Sequence, residues 1–238
     1  MLKVNKISPD RIYVYVANKI EYLEYNNILD KSLYNELIIG VKGLVPQRQF
    51  IMNKWPLNKH IVFLDDDIVS VDLSLSDIFK TKTLDYFIKA AFKESEKRES
   101  YIWGIYPVFN PFFRQPRQEI TTCLSYIVGA FYGIINRPKL KSLELTLIKE
   151  DGNKEDTLRS ILYFIHDNTV LRFNKIGFVT KYYGTEGGLG TFENRLEHML
   201  KASQLLKEKY PDYGDIITKK SGMTEFKLKK ICTIKTKI

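Results

Sequence analysis

Three consecutive carboxylates, Asp65, Asp66 and Asp67, stand between two apolar runs in "NKHIVFLDDDIVSVD", residues 58–72. Side chains alternate along a strand, so a chain extended through the triplet sends Asp65 and Asp67 to one side and Asp66 to the other. Like charges that close repel, and a divalent cation relieves the repulsion. Hard oxygen donors suit Mg2+ or Mn2+, ions that keep several waters and bridge to substrate phosphates. At the C-terminal end of a parallel strand, where open α/β sheets bind ligands, such a pair is expected to form a metal and nucleotide-diphosphate site. A turn or helix cap is the plainer use of the same residues.

Other segments carry groups that complement such a site. In "PQRQF", Arg48 brings a planar guanidinium that forks onto phosphate or a base carbonyl, with a surface salt bridge as the alternative. "KEDTLRS" presents Glu155 and Asp156 at a predicted helix start, where the helix dipole stabilises ionised carboxylates; N-capping alone would also explain the pair. "KYYGTEGGLGT" sets Lys181 before a glycine-rich turn containing Gly187 and Gly188, with Thr191 as a candidate N-cap. Backbone that approaches closely there can close over a diphosphate, although a glycine-rich connection with no ligand is the commoner fate of such a string. The block "YPVFNPFFRQPRQE" mixes Tyr106, Phe109, Phe112 and Phe113 with Arg114 and Arg117, the makings of an acceptor-binding lip or of core packing beside a solvated loop. His60, His166 and His198 fall in separate elements and are assigned no role.

The elements that must position these groups follow from periodicity. "RIYVYVANK" reads as a strand, Ile20 to Leu33 as a helix, and "ELIIGVKG" as a second strand. "LVPQRQFIMNKW" holds a turn at Pro46 and a short helix that leads to the strand "HIVFL". Leu84, Phe87, Ile88, Ala91, Phe92 and Ser95 mark one face of a later helix. "SYIVGAFYGIINR" reads as two short strands around Gly129 or Gly133, "KEDTLRSILYFI" as a helix, and "TVLRFNKIGFVTKYY" as a strand pair. A last helix ends near Pro211. The β-α-β-α-β alternation predicts an α/β fold, one Rossmann-like domain with a mostly parallel central sheet and helices on both faces. That domain is expected over residues 1–210, and residues 211–238 form a basic extension packed on it or trailing from it.

Composition bounds the possibilities. The 238 residues are 44% hydrophobic and 13% aromatic, enough to fill a core, so a folded chain is expected. Formal net charge is +9, and residues 201–238 hold 10 Lys against 4 Asp or Glu, a cationic end that suits a polyanion or a solvated tail. No charged leader precedes an apolar run, so an unsecreted protein is expected. The longest uncharged run, 17 residues from Ile120 to Asn136, falls short of the ~20 that a spanning helix needs. Cys123 and Cys232 lack metal-site spacing, so neither a disulfide nor zinc is expected, and a reducing, cytoplasmic compartment fits.

"GLVPQRQFIMNKWPLNKHIVFLDDD" resembles the nucleotide-sugar segment of GT-A glycosyltransferases, in which an Arg-containing helix precedes an apolar strand ending in a DxD motif. "WGIYPVFNPFF", "YIVGAFYGIINR", "KEDTLRSILYF" and "KYYGTEGG" look like the rest of a viral and phage branch, the TET/JBP-associated glycosyltransferases, and the resemblance covers most of residues 11–210. It implies a GT-A-like domain in which Asp67 and Asp65 ligate Mn2+ or Mg2+ and Asp66 touches the ribose or sugar. It further implies that Arg48, Lys181, Gly187 and Gly188 serve the donor. The "ED" pair would supply a general base, Asp156 first and Glu155 as its substitute, oriented by Arg159. The implied reaction moves glucose from a UDP-sugar to a hydroxyl, and the implied acceptor is a hydroxymethylated pyrimidine in DNA, held through the basic C-terminus and flipped from the duplex. The implied setting is the cytoplasm, or the cytoplasm or nucleus of an infected host cell. A viral glycan, protein or lipid acceptor, a nucleotidyltransferase, and a nucleic-acid-binding module without catalysis remain as alternatives.

Overall fold

The helical spacing of residues 84–95 is met by α3 (Leu84–Arg98), whose buried residues are Leu84, Phe87, Ile88, Ala91, Phe92 and Ser95. Thr83 starts it, its hydroxyl accepting the Tyr86 N–H at 3.2 Å. The computed structural model describes residues 1–146, 153–181, 192–219 and 222–233, the side chains of 192–195 excepted. The apolar face of α3 lies on the main sheet, in which β3 (His60–Leu64), β7 (Phe131–Ile135), β5 (Ile102–Ile105), β8 (Leu171–Phe173) and β6 (Ile120–Thr121) are hydrogen-bonded in that order. Phe87 and Phe92 pack there with Trp103, Phe131 and Phe173. On the opposite face, Tyr163 and Phe164 of α5 (Glu155–Asp167) pack with Phe63, Ile102, Tyr132 and Ile134. Helices therefore cover both faces of a single mixed α/β domain.

The sheet itself departs from expectation. The β3–β7, β7–β5 and β8–β6 pairs are antiparallel and only β5–β8 is parallel, so the sheet is mixed and mostly antiparallel instead of mostly parallel. The cause is β7, which the sequence reading divides in two. It is one strand inserted between β3 and β5 and running against both. All five of its residues are buried, so no hydrophobic alternation marks its direction. Gly133 lets it lie beneath Trp103, because a Cβ there would come within 2.3 Å of the indole. The expected pairing of "TVLRF" with "GFVTK" is also absent: β8 joins the main sheet, and β9 (Gly177–Thr180) pairs antiparallel with β4 (Ile68–Asp72).

The N-terminal β1 (Tyr13–Val16) and β2 (Glu36–Ile39) form a parallel pair joined by α1 (Lys19–Ile28). The apolar residues Ile20, Leu23 and Ile28 of α1 are exposed. Pro46 falls within the first turn of α2 (Leu44–Lys54) and not in a turn before it, a position that lacks no helical hydrogen bond. Following α4 (Pro111–Arg114) and α5, the chain ends with α6 (Phe192–Lys209) and a hairpin of β10 (Gly214–Thr218) and β11 (Thr224–Leu228). Phe226 of the hairpin packs with Ala202 and Leu206 of α6 and Leu158 and Ile161 of α5. Beyond it the Ile231 carbonyl accepts the Leu124 N–H at 2.7 Å, which brings Cys232 to Cys123 as a disulfide. The sequence reading expected no bridge because the two cysteines lie in unlike contexts without CxxC spacing; they are joined across a separation of 109, and the bridge runs against the reducing compartment expected above. No helix among the described residues is long and apolar enough to cross a membrane.

Candidate active site

β3 ends at Leu64, and the acidic triplet is a turn between β3 and β4. The Asp65 N–H makes a last ladder bond to the Ala130 carbonyl at 2.9 Å, and the Lys181 N–H closes the far side on the Asp67 carbonyl at 2.9 Å. Strand alternation therefore does not govern the three side chains. Asp65 Oδ1 stands 3.7 Å from Arg48 Nη2, while Asp66 is exposed and accepts from the Tyr25 hydroxyl of α1 at 3.4 Å. Asp67 Oδ1 is buried and accepts no hydrogen bond among the described residues.

Electrostatics single out the same turn. Burial raises Asp65 to about 6; Arg48 opposes that shift, and the charges of Asp67, Glu155 and Asp66 add to it. Burial and the neighbouring Asp66 also raise Asp67. Carboxylates that resist ionisation, one with an orphaned oxygen, fit a hard divalent cation that supplies the missing charge. Among the described residues no group of three or more His, Cys, Asp or Glu side chains gathers to hold a metal alone. The two aspartates fit Mg2+ or Mn2+ only where ligand phosphate and water complete the shell.

Behind the turn lies a buried ion network. Arg48, in the middle of α2, pairs through Nη1 with Glu155 Oε1 and donates from Nη2 to the Gly129 carbonyl at 2.9 Å. The other Glu155 oxygen takes Arg159, one turn along α5, whose guanidinium stands 3.8 Å from the centre of the Tyr132 ring. Burial works against the Arg48 charge, but Tyr132, Glu155 and Asp65 hold it firmly protonated. Gly129 is required at this junction, since a Cβ would meet Glu155 at 2.6 Å and Arg48 at 2.9 Å. Glu155, with 3% of its surface exposed, has both oxygens committed to arginines. Neither carboxylate oxygen of Glu155 is left without an arginine.

Asp156 differs from its neighbour. Its Oδ2 binds the Tyr126 hydroxyl, its Oδ1 accepts the Thr157 N–H at 2.8 Å, and it lines a cavity of about 880 Å3 between α5, β8 and the C-terminal hairpin. Burial, then the Asp156 charge, pushes the Tyr126 phenol well up, so that hydroxyl stays a donor. A larger cleft of about 2230 Å3 lies between the β1–β2 pair, α2 and β3, and Asp65, Asp66, Arg48, Gln47 and Tyr25 line it. The Glu155–Asp156 dipeptide thus joins two spaces: Glu155 holds the arginine that lines the larger cleft, and Asp156 faces the smaller one.

Of the residues singled out in the sequence, Arg48, Asp65 and Glu155 are drawn together. Asp66 and Asp67 share the turn, and Lys181 touches it through its backbone. Gly187, Gly188 and Thr191 lie outside the described residues. Two residues of the smaller cavity, Tyr126 and Arg172, escaped the sequence reading. Tyr126 is hidden in an apolar run, but an arginine inside the buried strand "TVLRF" is a signal that could have found Arg172. The chain matches no protein-family model and no curated protein.

Proposed function

We propose that this protein is a metal-dependent glycosyltransferase of GT-A-like fold, in which the larger cleft takes a nucleotide-sugar and the smaller cavity the hydroxyl acceptor. The observation that carries the reading is the Asp65–Arg48–Glu155 chain of charges, which fixes an acidic, cation-seeking turn relative to Asp156. Asp65 and Asp67 would hold Mn2+ or Mg2+, which when bound supplies Lewis-acid stabilisation of a departing nucleoside diphosphate. Arg48 keeps Asp65 in place and adds positive charge beside the diphosphate. Asp156 takes the acceptor hydroxyl proton at Oδ1 as that oxygen bonds to the anomeric carbon and the bond from sugar to diphosphate breaks. The Tyr126 hydroxyl donates to Asp156 Oδ2 and so orients the carboxylate toward the cavity it lines.

The test is release of nucleoside diphosphate from a panel of UDP-sugars with and without Mn2+, comparing wild type with Asp67→Ala. We expect release only with metal and a loss on the order of 100-fold in the variant, with no fall in thermal stability because the orphaned acceptor and its repulsion are removed together. A folded protein that turns over no nucleotide-sugar with either metal would overturn the proposal.

A further inference from the structure

The cavity that Asp156 enters is lined by six basic residues, Arg117, Lys154, Arg172, Lys227, Lys229 and Lys230, against two acidic ones, Asp156 and Glu225. Both acids are engaged elsewhere, Asp156 with Tyr126 and Glu225 with Lys219 at 2.7 Å. Arg172 and Arg117 stand 5.2 Å and 4.6 Å from the centre of the Tyr106 ring, and among the described residues neither has a carboxylate partner. Arg172 spends Nε on Asn174 Oδ1 at 2.7 Å and Nη1 on a long contact to the Tyr126 carbonyl at 3.4 Å. Its Nη2 has no hydrogen-bond partner among the described residues. The four buried arginines among the described residues each find an acid, Arg48 and Arg159 sharing Glu155, Arg114 meeting Asp72 and Arg137 meeting Asp167, whereas the half-buried Arg172 finds none.

Two guanidiniums that share one aromatic ring and line one cavity without a carboxylate partner leave positive charge there for an anion to balance. We infer that Arg172 and Arg117 form an oxyanion subsite that takes a phosphate ester carried by whatever molecule occupies this cavity. The state of Arg172 agrees: burial, and the charge of Arg117, lower its basicity to about 10 despite the aid of Tyr106. A phosphate bound at Arg172 would raise it again. The fork of Nη1 and Nη2 suits two phosphate oxygens, and Lys154 and Lys227 add charge at the same walls. Calling that molecule the acceptor rests on the glycosyltransferase reading, whereas the anion site does not.

The test is calorimetric titration of the full chain, without metal or nucleotide-sugar, using phenyl phosphate and inorganic phosphate as probes. Phenyl phosphate should bind at one site, and Arg172→Gln should weaken it roughly tenfold or more, the loss of one charge-assisted contact. Arg117→Gln, at a more exposed position, should weaken it in the same direction and guards against misfolding of the first variant. Equal binding of inorganic phosphate would show that the anion alone is recognised, and tighter binding of phenyl phosphate that the ester is; either supports the subsite. Failure of both probes to bind at millimolar concentration, or binding that both variants leave unchanged, would overturn it. Because donor turnover is measured separately, loss of one proposal leaves the other standing.

Discussion

Adjacent carboxylates in one dipeptide have opposite fates here, and that contrast is testable residue by residue. Glu155 neutralises two buried arginines, so Glu155→Gln leaves their charges without a partner and should cost about 3 to 5 kcal/mol, a fall in Tm on the order of 10 °C for a domain of this size. Asp156 has one hydroxyl and one amide partner at the wall of a cavity, so Asp156→Asn should leave Tm nearly unchanged. In the proposed reaction it should lower kcat by about 100-fold or more, the contribution of a general base. Parallel melting curves and transfer assays on the two variants check both outcomes. Equal loss of stability in the two would remove the distinction on which the assignment of Asp156 depends. The sequence presented these residues as a pair at a helix start, and nothing in their spacing told them apart. Arg48, from more than a hundred positions upstream, and Arg159, one turn on, separate the carboxylate that neutralises arginines from the one that lines the smaller cavity.

At the scale of elements, a clip joins three that the sequence could place only singly. Arg114, fully buried at the end of α4, donates to the Phe109 carbonyl at 2.9 Å, to the Lys175 carbonyl between β8 and β9 at 2.9 Å, and to Asp72 at the end of β4 at 2.5 Å. Burial pushes Asp72 up, but hydrogen bonds from Ser74 and Arg114 outweigh it and hold the carboxyl below its ordinary value. A lowered folded value means that the pairing stabilises the protein above the unfolded pKa and is lost as pH falls through the folded one. Asp72→Asn should therefore destabilise by about 3 kcal/mol at neutral pH, and the gap from wild type should close below about pH 4. Denaturant melts of both proteins across that window measure it, and a gap independent of pH would show that the Asp72 charge is not its source. The sequence singled out Arg114 only as part of an aromatic lip, because its burial depends on a loop reaching β4 and β9. Amphipathic elements such as α3 were legible to the residue, since a helix half in water writes its burial into a 3.6-residue period. β7, buried on both faces, carries no such record, and the direction and neighbours of a strand are set by contacts that lie outside it. The same limit hid the β4–β9 pair.

For the whole molecule, the C-terminal segment is the part whose place in the sequence says least about its place in the fold. Its lysines left open whether it packs on the domain or trails from it; its hairpin packs Phe226 against α5 and α6, its later residues lie against the strand region at Leu124, and its lysines line the cavity beside Asp156. The Cys123–Cys232 bridge closes a loop with a sequence separation of 109, so in the chain-entropy account it removes much of the freedom of the unfolded chain. Cys232→Ser, or reduction of the wild type, should lower unfolding free energy by about 2 to 5 kcal/mol. Since Phe226 keeps its apolar contacts, the loss should appear as a lower Tm with the same cooperative transition, and not as an early separate melting of the hairpin. Calorimetry with and without reductant checks this, and a Tm indifferent to reductant would mean that the bridge contributes nothing. The consequence reaches the site: a wall of the basic cavity is made by β11 and the residues after it, and these are tethered to Cys123, which also lines the cavity. Reduction should then weaken phosphate binding in that cavity while leaving the larger cleft, built from β1, α2 and β3, as it was.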